Sequence, residues 1–226
     1  MAAVVCLLAL LTILVFSGRE TIRYTAGEGV ISRKAHCVVL DAGHGGDDPG
    51  KIGVNDAKEK DVNLQIAEKV RYYLEANDVE VVMTREDDEG LYDRQAANKK
   101  VQDMKKRVEL IEQAKPEVTV SIHQNSYPEE AIHGAQVFYY KTSKEGQQLA
   151  SVIQKSLIER VDPKNKRQIK ENDSYYLLKK TAVPIVIVEC GFLSNRKEAE
   201  KLCTEEYQEE LAWAVAMGIL QYLNEL

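Results

Sequence analysis

The 226-residue chain carries 30 basic and 36 acidic side chains, a formal net charge of −6, and so offers no global positive field for nucleic acid. Its length suits one well-buried domain once an N-terminal segment is set aside, with little room for a second. Beyond the N-terminal run, Cys37, Cys190 and Cys203 are far apart and form no CxxC pair, which argues against a zinc knuckle or a thioredoxin-like motif.

Residues 1 to 16, MAAVVCLLALLTILVF, are apolar throughout apart from Thr12, and Ser17-Gly18-Arg19-Glu20 closes the run. The run is short for a bilayer crossing and long for a signal-peptide core. Arg19, Arg23, Arg33 and Lys34 follow it rather than precede it, the wrong bias for outward orientation by the positive-inside rule. Residues 1–18 are read as a signal or membrane anchor, 19–35 as a polar tether and 36–226 as the folded domain. The expected protein is extracytoplasmic, exported or held to a membrane by its N-terminal segment.

The first strand is expected over His36 to Leu40, ending at Asp41 and the turn Gly43-His44-Gly45-Gly46, which displays one histidine. Val62, Ile66, Val70, Tyr73 and Leu74 form one apolar helical stripe, with Asp61 as expected N-cap and Glu59 on the loop ahead of it. Val79 to Arg85 reads as a second strand, followed by an acidic loop at Glu86 to Gly90. A long helix is expected from Tyr92 to Lys115, ended by Pro116. Val118 to Ile122 is a third strand, again ending on a histidine, His123. His133 to Tyr140 reads as a fourth strand at an edge, Gly146 to Val161 as a helix, and 163–173 as a polar loop. After a short element at Tyr175 to Lys179, the apolar run Pro184 to Phe192 reads as a central strand interrupted by Glu189. Asn195 caps a short helix through Leu202, and an amphipathic helix closes the chain from Glu205 to Leu223. The pattern predicts an α/β single domain, with a mostly parallel or mixed central sheet of about five or six strands and helices on both faces.

Parallel strands deliver their C-terminal ends to one edge of a sheet, so His44, His123 and Glu189 are expected to converge there. Two histidines and a carboxylate suit a metal site that keeps a position open for water, with a second carboxylate beside it to take a proton. Asp41, Glu59 and Glu189 could all reach that edge. Buried Glu189 serves either as a base or as an inert partner of a cation. Glu59, between Lys58 and Lys60, reads locally as solvated surface. Asp41 is a candidate to hold His44 through its second ring nitrogen, and Asn125 to orient ligands or substrate. His133 reads as an ordinary strand residue, and Arg85, Arg94 and Arg107 as structural or solvated charges. Cys37 and Cys190 read as small buried hydrophobes, with a disulfide open to them if their strands are neighbours in an exported domain.

The motifs VVLDAGHGG at 38–46, KEKDVNLQIA at 58–67, TR at 84–85, VSIHQNS at 120–126, HGAQVFYY at 133–140 and VIVECGFLSN at 186–195 occur in that order. Together they resemble the zinc-dependent N-acetylmuramoyl-L-alanine amidases of the amidase type 3 family, over roughly His36 to Leu223. Such enzymes cut the amide between the lactyl group of N-acetylmuramic acid and the L-alanine of the stem peptide in peptidoglycan. The resemblance implies Zn2+ held by His44, Glu59 and His123, and catalysis by Glu189. It thereby gives Glu59 a role that no local feature suggests. Within the family, the segment GLYDRQAANKK at 90–100, VSIHQNS and the anchor-like N-terminus resemble the germination-specific amidases of endospore formers. Those act on spore cortex peptidoglycan, which implies the forespore intermembrane space as the location. The substrate partner implied is a glycan strand with its stem peptide. No wall-binding module is visible, which leaves localisation to the N-terminal segment or to an accessory protein. A zinc peptidase cutting within the stem peptide and a non-catalytic wall-binding protein on the same fold are the alternative readings.

Overall fold

Strand β1 (Cys37–Ala42) shows how the sequence divides the molecule into layers, because alternate side chains leave opposite faces of a sheet. Val38 and Leu40 enter one apolar cluster while Val39 enters another, and all three are fully buried. The computed structural model describes residues 36–226; the expected signal or anchor and the tether lie outside the described residues. Among the described residues, five further strands follow: β2 (Glu80–Met83), β3 (Val118–Asn125), β4 (Gln136–Tyr140), β5 (Lys170–Asn172) and β6 (Ile185–Phe192). They form one six-stranded sheet in the order β2-β1-β3-β6-β4-β5. The β1–β2, β1–β3, β3–β6 and β4–β5 pairs are parallel, and only β4 against β6 is antiparallel. The sheet is therefore mixed.

Helices α1 (Glu59–Glu75), α3 (Lys144–Arg160) and α6 (Glu205–Asn224) cover one face, and α2 (Lys99–Ala114) and α4 (Tyr176–Lys180) the other. The short α5 (Arg196–Leu202) adds Ala199 and Leu202 to the first face. That face holds the larger core, with Ile66, Val70, Leu149, Ile153, Val215 and Ile219 against Leu40, Val120 and Val188. The α2 face is smaller and interrupted by polar strand residues, since Asp41, Thr119, Ser121, His123 and Glu189 all project to it by strand alternation. Among the described residues no helix is long and apolar enough to cross a membrane.

Several expected boundaries shift. Helix α1 starts at Glu59 with Lys58 as N-cap, rather than at Asp61. The amides of Glu59 and Lys60 donate to the carbonyls of Lys51 and Pro49, so the loop supplies what a side-chain cap would have. Helix α2 starts at Lys99 rather than Tyr92, because the Asn98 side chain accepts from the Val101 amide and the preceding residues turn, with Ala96 N donating to Asp93 O. β4 is not the edge. The three-residue β5, within the segment expected as a loop, covers it. β3 lies between β1 and β6, so Cys37 and Cys190 are not on neighbouring strands.

Helices α3 and α6 approach closely at Gly218, where an added Cβ would stand 2.7 Å from Ile153 Cα. Alanine at this helix position gains about 1 kcal/mol of propensity, whereas overpacking against backbone costs about 1–3 kcal/mol. Gly218→Ala is therefore expected to lower stability by up to about 2 kcal/mol in urea unfolding, the reverse of the propensity trend.

Candidate metal centre

The strand order reverses between β1 and β3: the chain leaves β1 for β2 on one side and returns to β3 on the other. The C-terminal ends of these two strands flank the resulting crevice, where open α/β sheets place ligands. His44 stands two residues beyond β1, and His123 lies near the end of β3. His123 is paired in register with Glu189 of β6. Glu59 is delivered from the side as the first residue of α1. Its Oε1 lies 3.2 Å from His44 Nε2 and 2.8 Å from His123 Nδ1. One donor atom from each of the three side chains falls within 4.8 Å of the others, a grouping that could hold a metal ion.

The glycine turn makes this approach geometrically feasible. A Cβ on Gly43 would lie 2.2 Å from His123 Nε2, so the imidazole packs on bare backbone. His44 itself has φ 63°, and Gly45, Gly46 and Gly50 also take positive φ. Two buried arginines hold the turn from beneath. Arg85 donates to the carbonyls of Ala42, Gly43 and Lys60, and Arg107 to those of Ala42 and His44. Asn63, one helical turn after Glu59, donates to Gly43 O and accepts from Gln124, whose own amide donates to Glu59 Oε1 at 3.2 Å.

Electrostatics separates the two glutamates. Burial opposes ionisation of Glu59, but the two imidazoles and the backbone amides outweigh it and hold the carboxyl well below the usual range. Burial also opposes a charge on His123, and Glu59 overcomes it, raising the imidazole above its ordinary value. Glu189 lacks such partners: burial pushes it up to about 7, with His123 opposing and Glu59 reinforcing the shift. Its Oε2 is buried without a hydrogen-bond partner among the described residues. A buried, unpaired carboxylate oxygen beside three converging N and O donors fits a divalent cation with a proton acceptor next to it.

A cleft of about 380 Å3 opens over this group. Met104, Tyr175, Leu177 and Ile187 form an apolar wall, and Asp47, Asp48, Lys99 and Lys100 a charged one. The strand ends bring His44, His123 and Glu189 to one edge, and Glu59, which its sequence neighbours mark as surface and only the family resemblance singles out, lies among them. Asp41 does not reach His44. It is buried with Arg107 Nη1 at 2.6 Å and accepts from Thr84 and Ser121. His44 Nδ1 instead faces Asp48 Oδ2 at 3.0 Å. Asn125 accepts from the Ser126 amide, and His133 contacts the Ala131 carbonyl, outside the cleft. Asp48 and Tyr175 escape a reading of the sequence, because nothing in an acidic turn or a tyrosine pair marks them as facing a histidine or a buried carboxylate.

The fold and the site together define an α/β protein with a candidate metal centre at a sheet switch point. Residues 38–221 match the family described as N-acetylmuramoyl-L-alanine amidase. The chain is 37% identical over 191 residues to the germination-specific N-acetylmuramoyl-L-alanine amidase of Bacillus subtilis, covering 83% of this chain and 80% of that protein. It superimposes with a TM-score of 0.82 and 41% identity on the CwlD amidase from Clostridioides difficile, solved in complex with the GerS lipoprotein, over 84% of this chain and 100% of that one. The amidase AmiC2 of Nostoc punctiforme gives a TM-score of 0.72 at 34% identity, over 84% and 97% of the two chains. The chain belongs to the N-acetylmuramoyl-L-alanine amidase family, hydrolases of cell-wall peptidoglycan.

Two outcomes follow from the contacts beneath the turn. Burial opposes ionisation of Asp41, but Arg107 and Ser121 hold its pKa at about 2. A carboxylate with a depressed folded pKa stabilises fully above its unfolded value near 3.9 and loses that contribution as pH falls through the folded value. The stability gap between wild type and Asp41→Asn in urea titrations should therefore shrink by about 2 kcal/mol between pH 5 and pH 2. Gly43→Ala should displace His123, and urea unfolding should register the clash as a loss of about 1–3 kcal/mol against wild type.

Proposed function

We propose that the protein is a zinc enzyme that cleaves the amide between the lactyl group of N-acetylmuramic acid and L-alanine, and that it acts in maturation of spore cortex peptidoglycan. The observation that carries this reading is the buried, unpaired Glu189 carboxylate beside the converging donors of His44, Glu59 and His123, at the base of an open cleft. Those three side chains would hold Zn2+, whose ligand preference for imidazole and carboxylate they match. When bound, it would supply Lewis acidity toward an amide carbonyl and make water acidic enough to attack near neutral pH.

The protein's own groups do the rest. Glu189 accepts the proton of the attacking water as the new C–O bond forms. It returns that proton to the L-alanine nitrogen as the C–N bond breaks, leaving a free lactyl carboxylate and a free amine. Its burial makes it a stronger base than an exposed carboxylate, and no group among the described residues donates to its Oε2 to hold the anion. Glu59 is unsuited to the same work, since hydrogen bonds to both its oxygens stabilise the anion. The apolar wall of Met104, Tyr175 and Leu177 suits the hydrophobic faces of sugar rings and methyl groups.

The cortex assignment is supported by the identity to the germination-specific amidase, and an accessory lipoprotein by the relative solved with one. Residues 1–18 would tether the domain to a membrane on the extracytoplasmic side, in the forespore intermembrane space. Purified peptidoglycan digested with wild type should release intact stem peptides, leaving free lactyl carboxylates visible by mass analysis of the muropeptides. Glu189→Gln should be slower by about two to four orders of magnitude. A chelator should stop the wild-type reaction, and added zinc should restore it. Equal rates for the two proteins would remove Glu189 from the chemistry. Shortened peptides still attached to glycan would make the protein a peptidase instead.

A further inference from the structure

We propose that Asp48 is a positioning residue for the metal centre, fixing the tautomer and direction of His44; the inference rests on the metal reading above and identifies what aims one of its ligands. The turn is built to bring this carboxylate back onto the ring. Gly45 N donates to Asp48 O at 3.0 Å and Asp48 N to Gly45 O at 3.1 Å, closing a tight backbone ring directly after the histidine. Positive φ at His44, Gly45 and Gly46 allows that reversal. The two carboxylate oxygens then divide their work. Oδ1 accepts from the Gly50 amide at 3.1 Å, and Oδ2 faces His44 Nδ1 at 3.0 Å with Lys100 Nζ 3.3 Å away.

The consequence for the ring is chemical. An imidazole that donates Nδ1–H to a carboxylate carries its lone pair on Nε2, the atom turned toward Glu59. Without that acceptor the neutral ring can place its proton on either nitrogen, and one of the two tautomers has no lone pair to offer a cation. The ring also loses one of its two polar side-chain contacts, keeping Glu59 and the edge of the His123 ring. Asp41, the other acid near the turn, is committed to Arg107, Thr84 and Ser121 and cannot substitute. Asp47, one residue earlier, pairs with Lys99 on the charged wall of the cleft rather than with the ring.

A turn-forming role alone would need only the Oδ1 contact with Gly50, and asparagine supplies that oxygen. Asp48→Asn therefore separates the two roles. Zinc affinity of the metal-free full chain is measured by competition with a chromophoric chelator, using the metal alone. Asp48→Asn should weaken zinc binding by about 10- to 100-fold. Asp47→Asn removes the same formal charge from an exposed, screened position and should change it by less than about threefold. In zinc-loaded wild type, long-range 1H–15N spectra should show His44 with a slowly exchanging proton on Nδ1, a result that needs no variant to fold. Unchanged affinity in Asp48→Asn, equal weakening by Asp47→Asn, or an unprotonated Nδ1 would each overturn the role of Asp48 while leaving the zinc reading intact. Failure of the wild-type chain to take up zinc would overturn the zinc reading and this role with it.

Discussion

The guanidinium of Arg107 joins helix α2 to the strand and turn from which the site is built. It is almost wholly buried, contacting Asp103 on its own helix, Asp41 on β1, and the carbonyls of Ala42 and His44. A buried ion pair of this kind is weak evidence for net stability, since desolvation offsets much of its attraction. Its contribution is geometric. The planar fork presents several fixed donors, and their acceptors set the path of the backbone between Asp41 and His44. An apolar side chain of equal volume would fill the space without specifying that path.

The two sides of the sheet divide the tasks of folding and chemistry. The face under α1, α3 and α6 is nearly all apolar and supplies most of the hydrophobic burial. The face under α2 and α4 has a smaller apolar cluster, and the strand residues nearest the crevice are Asp41, Ser121, His123 and Glu189. Asp41, Ser121 and His123 each have a polar partner, whereas Glu189 Oε2 has none among the described residues. A buried, unsatisfied carboxylate oxygen is costly, and the larger core opposite offsets that cost. The unpaired atom is also the one the proposed hydrolysis uses.

Much of this organisation was legible from the order of residues. Val38 to Leu40, Val118 to Ile122 and Ile185 to Val188 announce buried strands by their branched apolar side chains, and parallel topology places their ends together. What stayed hidden depends on distant contacts. Glu59 sits among Lys58, Lys60 and Asp61 and reads as surface, yet it is buried because the 49–51 loop folds over its helix start. Lys60, beside it, is also buried, its ammonium held by Gly46 O and Asp88. The early start assigned to α2 follows from good helix formers at 94–97, whose propensity loses to the Asn98 cap and the turn at Asp93. β5 has no apolar alternation, since only one side of its three residues meets the sheet.

The placement of His44, Glu59, His123 and Glu189 on separate elements also bears on how the chain acquires its site. His44 and Glu59 arise in the first βα unit, but His123 comes with β3 and Glu189 with β6, more than a hundred residues beyond His44. The donor set is complete only after β1 and β3 have paired across the intervening helices and β2. A denatured chain holds no such arrangement, so a cation taken by these side chains binds the native state selectively. Mass action then stabilises the sheet by an amount that grows with the ratio of free cation to its dissociation constant. Metal supply would in this way bear on the population of folded chains as well as on their reactivity.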